Sequence, residues 1–350
     1  MPELPEVETV VRTLRPHVVG RHIVSLQEVQ RPCFVQESLP CTRAEGLFVH
    51  RVVRRGKFIV CRLGIGQCGC DSMARDADHV LNQAAALFNG AAEEDLFWVT
   101  HLRMTGTLMA HKTAVCTSAV PSPTSFCAPK PGRYTRAWAR LAGEGLEGCV
   151  LLFNDVRTFG RMFLGTRTML ESWPAWTRLG PEPLTMGAEA FAQAIRGKRA
   201  IKTVIMDQHV LAGIGNIYAD ESLFAARLNP HLPADSLSLA QKLELHAQMV
   251  RLLRKSIAEC GSSIRNYQDA DGNVGAFQNS FAVYGRAGSP CPVCGTTLQK
   301  CLLNGRGTTF CPRCQQKRAP SRGKSRSADK KSADCKSLQG KSSCVAIVEQ

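Results

Sequence analysis

Two cysteine pairs, Cys291-Pro-Val-Cys294 and Cys311-Pro-Arg-Cys314, constrain what this chain can fold into more than any other feature. They are separated by residues 295–310. Each pair can chelate one ion from a single turn, and four thiolates close a tetrahedron with no vacant position. The pattern therefore predicts one structural Zn2+ and a small module built around it. Four independently buried cysteines would have no reason to fall at this spacing. The intervening stretch, 296–310, can make a β-hairpin with Asn304-Gly305-Arg306-Gly307 at its tip. A lone arginine at such a tip is ordinarily a solvated charge. Cys301, between the pairs, is spare.

The chain holds sixteen cysteines, which in a short secreted protein would suggest disulfides; at 350 residues this chain is not short. Glu3, Glu6 and Glu8 stand where a signal peptide would need a basic start, and no uncharged apolar run is long enough to span a bilayer. The expected location is the cytoplasm, with most cysteines outside the quartet reduced and behaving as small apolar residues. The net charge is +15. The stretch 316–350 contributes nine Lys/Arg against three acids, which leaves +9 for residues 1–315. The folded part is itself basic, which suits a polyanion, nucleic acid or membrane surface.

Hydrophobic patterning predicts an α+β, multidomain chain. Val7, Val10, Val11 and Leu14 fall at helical spacing from Pro5 to about Pro16. Short β-rich runs follow at 47–53, 58–61, 97–109, 135–141 and 150–163, arguing for an antiparallel sandwich over residues 1–165. Two stretches, about 65–94 and 112–132, read as surface insertions. Helical patterns at 191–195, 201–206, 217–226 and 237–260 place a helical domain over 173–286. The zinc module spans 287–315, and a Ser/Lys/Arg-rich tail, 316–350, reads as disordered.

The amino terminus reads Met1-Pro-Glu-Leu-Pro-Glu-Val-Glu-Thr-Val10. Trimming of Met1 would leave Pro2 as a free secondary amine beside the Glu3 carboxylate. An α-amine titrates near ~7.7–8.0, so part of it is nucleophilic at neutral pH. It can form a Schiff base while an adjacent acid moves protons. Equally, Pro2 and Pro5 could simply rigidify the start of a helix. The whole decapeptide resembles the amino terminus of the formamidopyrimidine-DNA glycosylases. By that resemblance Pro2 is the nucleophile and Glu3 the acid/base. The related endonuclease VIII family shares Pro-Glu but continues differently, so Leu4-Pro5-Glu6-Val7-Glu8 favours the purine branch.

Further strings carry the same resemblance. Ala212–Phe224, with Gly213-Ile-Gly215-Asn216, is a Gly-x-Gly turn before a helix with an Asn at its cap, a natural phosphate seat. It is similar to the family's helix–two-turn–helix signature. The likeness implies that Asn216 and Lys202 bind phosphates and that Glu221 supports the turn or the site. His101-Leu-Arg-Met104-Thr-Gly106 and Asp155-Val-Arg157-Thr-Phe159-Gly160 match the loops that fill the gap left by an everted base. Met104, Arg157 and Phe159 are then the DNA-intercalating trio, although Val156 and Thr158 depart from the family's Pro and Arg. Lys57 matches a lysine beside the target phosphate, Glu6 a contact for the everted base, and Arg306 an arginine that enters the minor groove.

The resemblance covers about residues 1–315 apart from the insertions. It implies a monomeric base-excision repair enzyme, nucleoid-associated, that removes oxidised purines from duplex DNA and then nicks the strand as an AP lyase. Two other readings stay open: an endonuclease VIII-like preference for oxidised pyrimidines, and a zinc-finger DNA-binding protein that is catalytically dead.

Overall fold

The computed structural model describes residues 1–66, 87–113, 130–143, 146–263 and 267–316. Most of the two expected insertions, and the tail beyond 316, lie outside the described residues.

Helix α1 (Leu4–Val18) opens the chain, with a proline in its first turn where the amide would have no helical acceptor. Val7, Val10, Val11, Leu14 and Val18 return to one face every three or four residues, and all are buried. Strands β1 (His22–Glu28), β2 (Phe48–Arg55), β3 (Phe58–Gly64) and β4 (Leu96–His101) follow. The set is completed by β5 (Gly106–Thr113), β6 (Thr135–Gly143), β7 (Leu146–Asp155) and β8 (Arg161–Thr166).

The eight strands run antiparallel in the order β5-β7-β6-β1-β2-β3-β4-β8. At the β1–β2 junction only His22 and Phe48 are in register, which divides the sheet into two four-stranded halves. Ile23, Leu151 and Phe153 from one half meet Val52, Trp98 and Leu164 from the other, and α1 joins the same core. This is the expected sandwich, its layers continuous through β1 and β2. A second core, with Phe58, Phe97, Phe163 and Trp173, covers the opposite face of the β2–β3–β4–β8 half.

Two of the β-rich runs each hold two strands. The 97–109 run breaks between His101 and Gly106, and the 150–163 run between Asp155 and Arg161. Arg103 (φ 55°) and Thr158 (φ 57°) take left-handed conformations there, which a strand cannot hold. These breaks are the loops that carry Met104, Arg157 and Phe159.

The helical region contains α2 (Arg167–Ser172), α3 (Pro174–Thr177), α4 (Ala188–Ala194), α5 (Ile201–Ile205), α6 (Asn216–Ala225) and α7 (Leu239–Ala258). Ser238 caps the long α7 by accepting the Gln241 amide at 3.3 Å. Phe191, Ile205, Ile214, Tyr218, Leu245, Met249 and Phe277 form its core, and Leu4 from the start of α1 belongs to it too. Arg54, 1 % exposed, locks the parts together. Its guanidinium reaches Glu8 at 3.0 Å and Glu182 at 2.6 Å.

The zinc module packs Val283, Cys291, Leu298 and Cys311 on Phe224 of α6. Its hairpin, β9 (Gln299–Leu303) and β10 (Arg306–Phe310), turns through Asn304 and Gly305, both with positive φ (47° and 71°). Arg306 is therefore the first residue of β10, paired with Leu303, rather than part of the turn itself. Among the described residues no helix is long and apolar enough to cross a membrane.

Candidate active site

The amino terminus is threaded between the sandwich and the helical core. The Leu4 amide donates to the Gly213 carbonyl at 3.0 Å. Close approach requires glycine at two positions of the turn. A Cβ on Gly213 (φ 98°) would fall 2.7 Å from Leu4, and one on Gly215 would fall 2.4 Å from the Glu3 carboxylate.

Glu3 is buried. Its Oε2 accepts the Gly215 amide at 2.8 Å and its Oε1 accepts the Ile217 amide at 3.0 Å. These amides belong to the start of α6, where helical N–H groups have no intrahelical acceptor. Burial raises the Glu3 pKa above the ordinary value, Lys57 pulls it down, and Glu6 pushes it up. Lys57 is buried as well, and its Nζ donates to the Ile214 carbonyl at 2.9 Å. Burial lowers its pKa, opposed by Glu3 and Glu6. A carboxyl whose pKa is raised by burial thus sits in the field of an ammonium whose pKa burial lowers, a pairing suited to proton transfer. Pro2, the neighbour of Glu3, is buried behind a half-exposed Met1.

The loops that carry Met104, Arg157 and Phe159 leave these side chains exposed, Met104 38 % and Phe159 48 %. The Arg157 guanidinium lies 4.8 Å from the Phe159 ring centroid. Fully buried Asp155 holds the two loops together. It accepts from the Thr105 hydroxyl, from the Arg157 amide at 3.2 Å and from the Gly160 amide at 2.7 Å.

Three family profiles match the chain. They are the formamidopyrimidine-DNA glycosylase N-terminal domain over residues 1–162, the formamidopyrimidine-DNA glycosylase H2TH domain over 179–268, and the zinc finger found in FPG and IleRS over 288–317. The formamidopyrimidine-DNA glycosylase of Nitratidesulfovibrio vulgaris is 36% identical, with 90% of this chain and 100% of the relative aligned. That of Geobacillus kaustophilus is 35% identical at the same coverage. The chain belongs to the formamidopyrimidine-DNA glycosylase family.

Solved structures agree. The MutM (Fpg) protein of Thermus thermophilus superposes with a TM-score of 0.68 at 34% identity, covering 90% of this chain and 98% of that one. A Lactococcus lactis Fpg mutant in complex with Fapy-dG-containing DNA gives 0.69 at 29% identity, with 90% and 100% covered. A MutM complex with carbocyclic 8-oxo-G DNA gives 0.68 at 27% identity, with the same coverage.

The zinc finger of this family member holds one structural zinc, and its cysteine geometry fits that ion. The sulfurs of Cys291, Cys294, Cys311 and Cys314 all lie within 4.8 Å of one another. Cys291 and Cys314 are 3.8 Å apart and Cys294 and Cys311 3.5 Å, whereas a tetrahedron of ~2.3 Å Zn–S bonds has edges of about 3.8 Å. The Val293 and Cys314 amides donate to the Cys291 and Cys311 sulfurs at 3.4 and 3.3 Å, which orients both thiolates inward.

Three residues expected at phosphates or at the base are engaged within the protein. Lys202, 1 % exposed, pairs with Asp220 at 2.7 Å and donates to the Gly307 carbonyl and the Thr308 hydroxyl at 2.9 and 2.8 Å. Its ammonium anchors β10 and is not presented at the surface. Asn216 is the first residue of α6 rather than its cap, which is Gly215. Its side-chain amide also donates to Gly307, at 2.9 Å, and its Oδ1 is a buried oxygen without a hydrogen bond. Glu6 is buried against the Glu3 amide, the Tyr218 hydroxyl and both the amide and hydroxyl of Ser262. Glu221 gathers the amides of Ala282, Val283 and Tyr284 at 2.8–2.9 Å, so it supports the approach to the zinc module rather than the Gly-x-Gly turn.

Residues without an assigned role in the sequence reading prove central. Tyr218 ties Glu6 to Ser256, Ser262 closes over Glu6, Asp155 braces the loops of Met104 and Phe159, and Asp220 partners Lys202. Tyr218 and Asp220 lie inside the signature Ala212–Phe224, and Asp155 opens its own string, so position hinted at them. Ser262 left no such mark.

Proposed function

We propose that this chain is a bifunctional DNA glycosylase and AP lyase that removes oxidised purines, 8-oxoguanine and formamidopyrimidines, from duplex DNA. The observation that carries the reading is the seating of Glu3 on the first amides of α6, beside Pro2 and Lys57. That seat would hold a proton donor next to the amine and ties it to the start of α6.

Loss of Met1 frees the Pro2 nitrogen. Its lone pair attacks C1′ of the everted nucleoside; the glycosidic bond breaks, and its electrons leave with the base, which takes a proton from Glu3. The bound nitrogen, now a protonated tertiary amine, passes its N–H proton to the ring oxygen O4′, and the freed lone pair expels that oxygen, leaving an iminium at C1′. That iminium acidifies C2′. Loss of the C2′ proton expels the 3′ phosphate, and loss of the C4′ proton expels the 5′ phosphate. Lys57, held on the Ile214 carbonyl, biases the Glu3 proton. Met104, Arg157 and Phe159 would occupy the vacated stack, because an extruded base leaves a gap costing a few kcal/mol. Arg306 would reach the backbone from β10, and Asn216 would contact a phosphate. Glu6 would meet the base through Ser262. Zinc contributes the fold of the hairpin and no chemistry.

Nucleophile, acid, wedge and hairpin all come from one chain, which supports action as a monomer. The net charge of +15 supports a place on the nucleoid in the cytoplasm. Borohydride should trap the protein covalently on an 8-oxoguanine duplex. One extra residue before Pro2 should abolish trapping while binding persists. Trapping that survives the extension would refute Pro2 as the nucleophile.

A further inference from the structure

Cys301 lies on β9 opposite Thr308 of β10. Directly opposed residues of an antiparallel pair share a face. On that face the Thr308 hydroxyl meets Lys202 Nζ at 2.8 Å, and the Cys301 sulfur meets His231 Nε2 at 3.2 Å. The His231 ring stands edge-on to Phe310, with centroids 6.0 Å apart, which fixes its plane. Negative charge on the sulfur would be felt by Lys202 as a stabilising neighbour. The thiol therefore has a base on one side and a cation within electrostatic reach.

The other described cysteines outside the zinc quartet are placed differently. Burial pushes Cys61 up to about 12 and Cys149 up to about 11, and it raises Cys33 further. Burial and Glu28 take Cys41 up to about 11. Cys260 is exposed. A half-buried sulfur with an imidazole at hydrogen-bond distance and a nearby ammonium is the setting that makes thiols reactive.

We propose that Cys301 and His231 form a peroxide-reactive thiol site, separate from the zinc quartet, whose oxidation loosens the anchorage of Arg306. His231 takes the thiol proton and the sulfur attacks one oxygen of hydrogen peroxide. The O–O bond breaks, and the departing hydroxide takes the proton back from His231 and leaves as water. Sulfur is oxidised by two electrons to sulfenic acid and peroxide is reduced. The added oxygen lies on the face where Lys202 holds Thr308 and Gly307, the residue after Arg306. It competes for that ammonium and disturbs the strand.

The test uses the full zinc-loaded chain, limiting hydrogen peroxide, dimedone to capture sulfenic acid, and peptide mass spectrometry with zinc measured in parallel. Cys301 should be captured about tenfold faster than Cys260 while zinc is retained. His231→Asn should lower the Cys301 rate to that of Cys260. Should that variant misfold, iodoacetamide capture by the unaltered chain decides: Cys301 should reach half-maximal rate below about pH 8.5, the free-thiol value. First capture at a quartet cysteine with zinc loss, equal rates at Cys301 and Cys260, or an ordinary thiol profile each overturns the site. The DNA consequence rests on the proposed function. Oxidised protein should bind a duplex carrying an abasic-site analogue about tenfold more weakly, the worth of one charged hydrogen bond, and Cys301→Ser should bind normally with or without peroxide. Unchanged binding after full Cys301 oxidation overturns the coupling to Arg306. Failure of the untreated chain to bind would count against the function and leave the thiol result intact.

Discussion

The Glu3 carboxylate accepts the Ile217 amide at 3.0 Å, so the third residue of the chain is positioned by the first turn of a helix in the other domain. The Gly215 amide completes the seat at 2.8 Å. Neither donor is a side chain that can be trimmed, and neither can move unless the turn moves. The turn therefore fixes where the Glu3 carboxylate stands.

Gly215→Ala should therefore act as an active-site substitution. The new Cβ would lie 2.4 Å from the Glu3 carboxylate, which must give way. A displacement of about 1 Å at a reacting group costs on the order of 10²-fold in rate. Single-turnover excision of 8-oxoguanine should fall by about that factor with zinc content unchanged. A rate within twofold of the unaltered chain would dissolve the link between turn and chemistry.

Glu3→Gln separates the two reactions. Base departure needs a proton, whereas an abasic site has no base to lose. Excision from an intact lesion should drop by roughly 10²–10⁴-fold, the usual worth of general acid catalysis. Borohydride trapping on a preformed abasic site should fall much less. Equal losses on both substrates would mean that Glu3 chiefly orients the amine.

Glu8 supplies a pH signature of stability. Burial alone would raise its pKa, but Arg54 and then Arg12 outweigh it and the net shift is downward from 4.5. The folded state therefore binds this proton less readily than the unfolded chain. The stabilisation is complete above about pH 4.5 and is lost as pH falls through the depressed folded value. Glu8→Gln, which removes one of the two carboxylates paired with the buried Arg54, should cost about 3–5 kcal/mol near neutrality. It should also flatten the acid limb of a melting-temperature profile. An unchanged acid limb would assign that loss to other carboxylates.

What the sequence disclosed follows from how far apart the partners lie along the chain. The loops of Met104, Arg157 and Phe159 are named only by resemblance, whereas the zinc quartet and the apolar face of α1 depend on residues a few positions apart, so spacing alone revealed them. Lys202 and Glu6 look like surface charges for the same reason. Their partners, Asp220 with β10 and Tyr218 with Ser262, come from distant segments. Within the β-rich 97–109 and 150–163 runs, the left-handed turns at Arg103 and Thr158 are not marked in the sequence, because neither residue is a glycine. Resemblance could name Arg306, but only the fold shows what holds it.

That support makes metal and arginine separable. Zinc ties the two ends of the hairpin through Cys291, Cys294, Cys311 and Cys314, while Lys202 and Asn216 grip its far end at Gly307. Cys311→Ser removes one of four ligands, so zinc content and DNA affinity should fall together, because metal binding and folding of such a module are one equilibrium. A chelator should reproduce this with the unaltered chain. Arg306→Ala should keep one zinc per chain and weaken binding of a lesion duplex by about tenfold, the worth of one charged hydrogen bond to phosphate. Because the side chain is exposed at the start of β10, the fold should not suffer, and the melting temperature should stay within about 2 °C. Zinc at full occupancy after Cys311→Ser would break the four-ligand assignment. Zinc loss in Arg306→Ala would instead make that arginine part of the module's own structure, and its place at the DNA would need another argument.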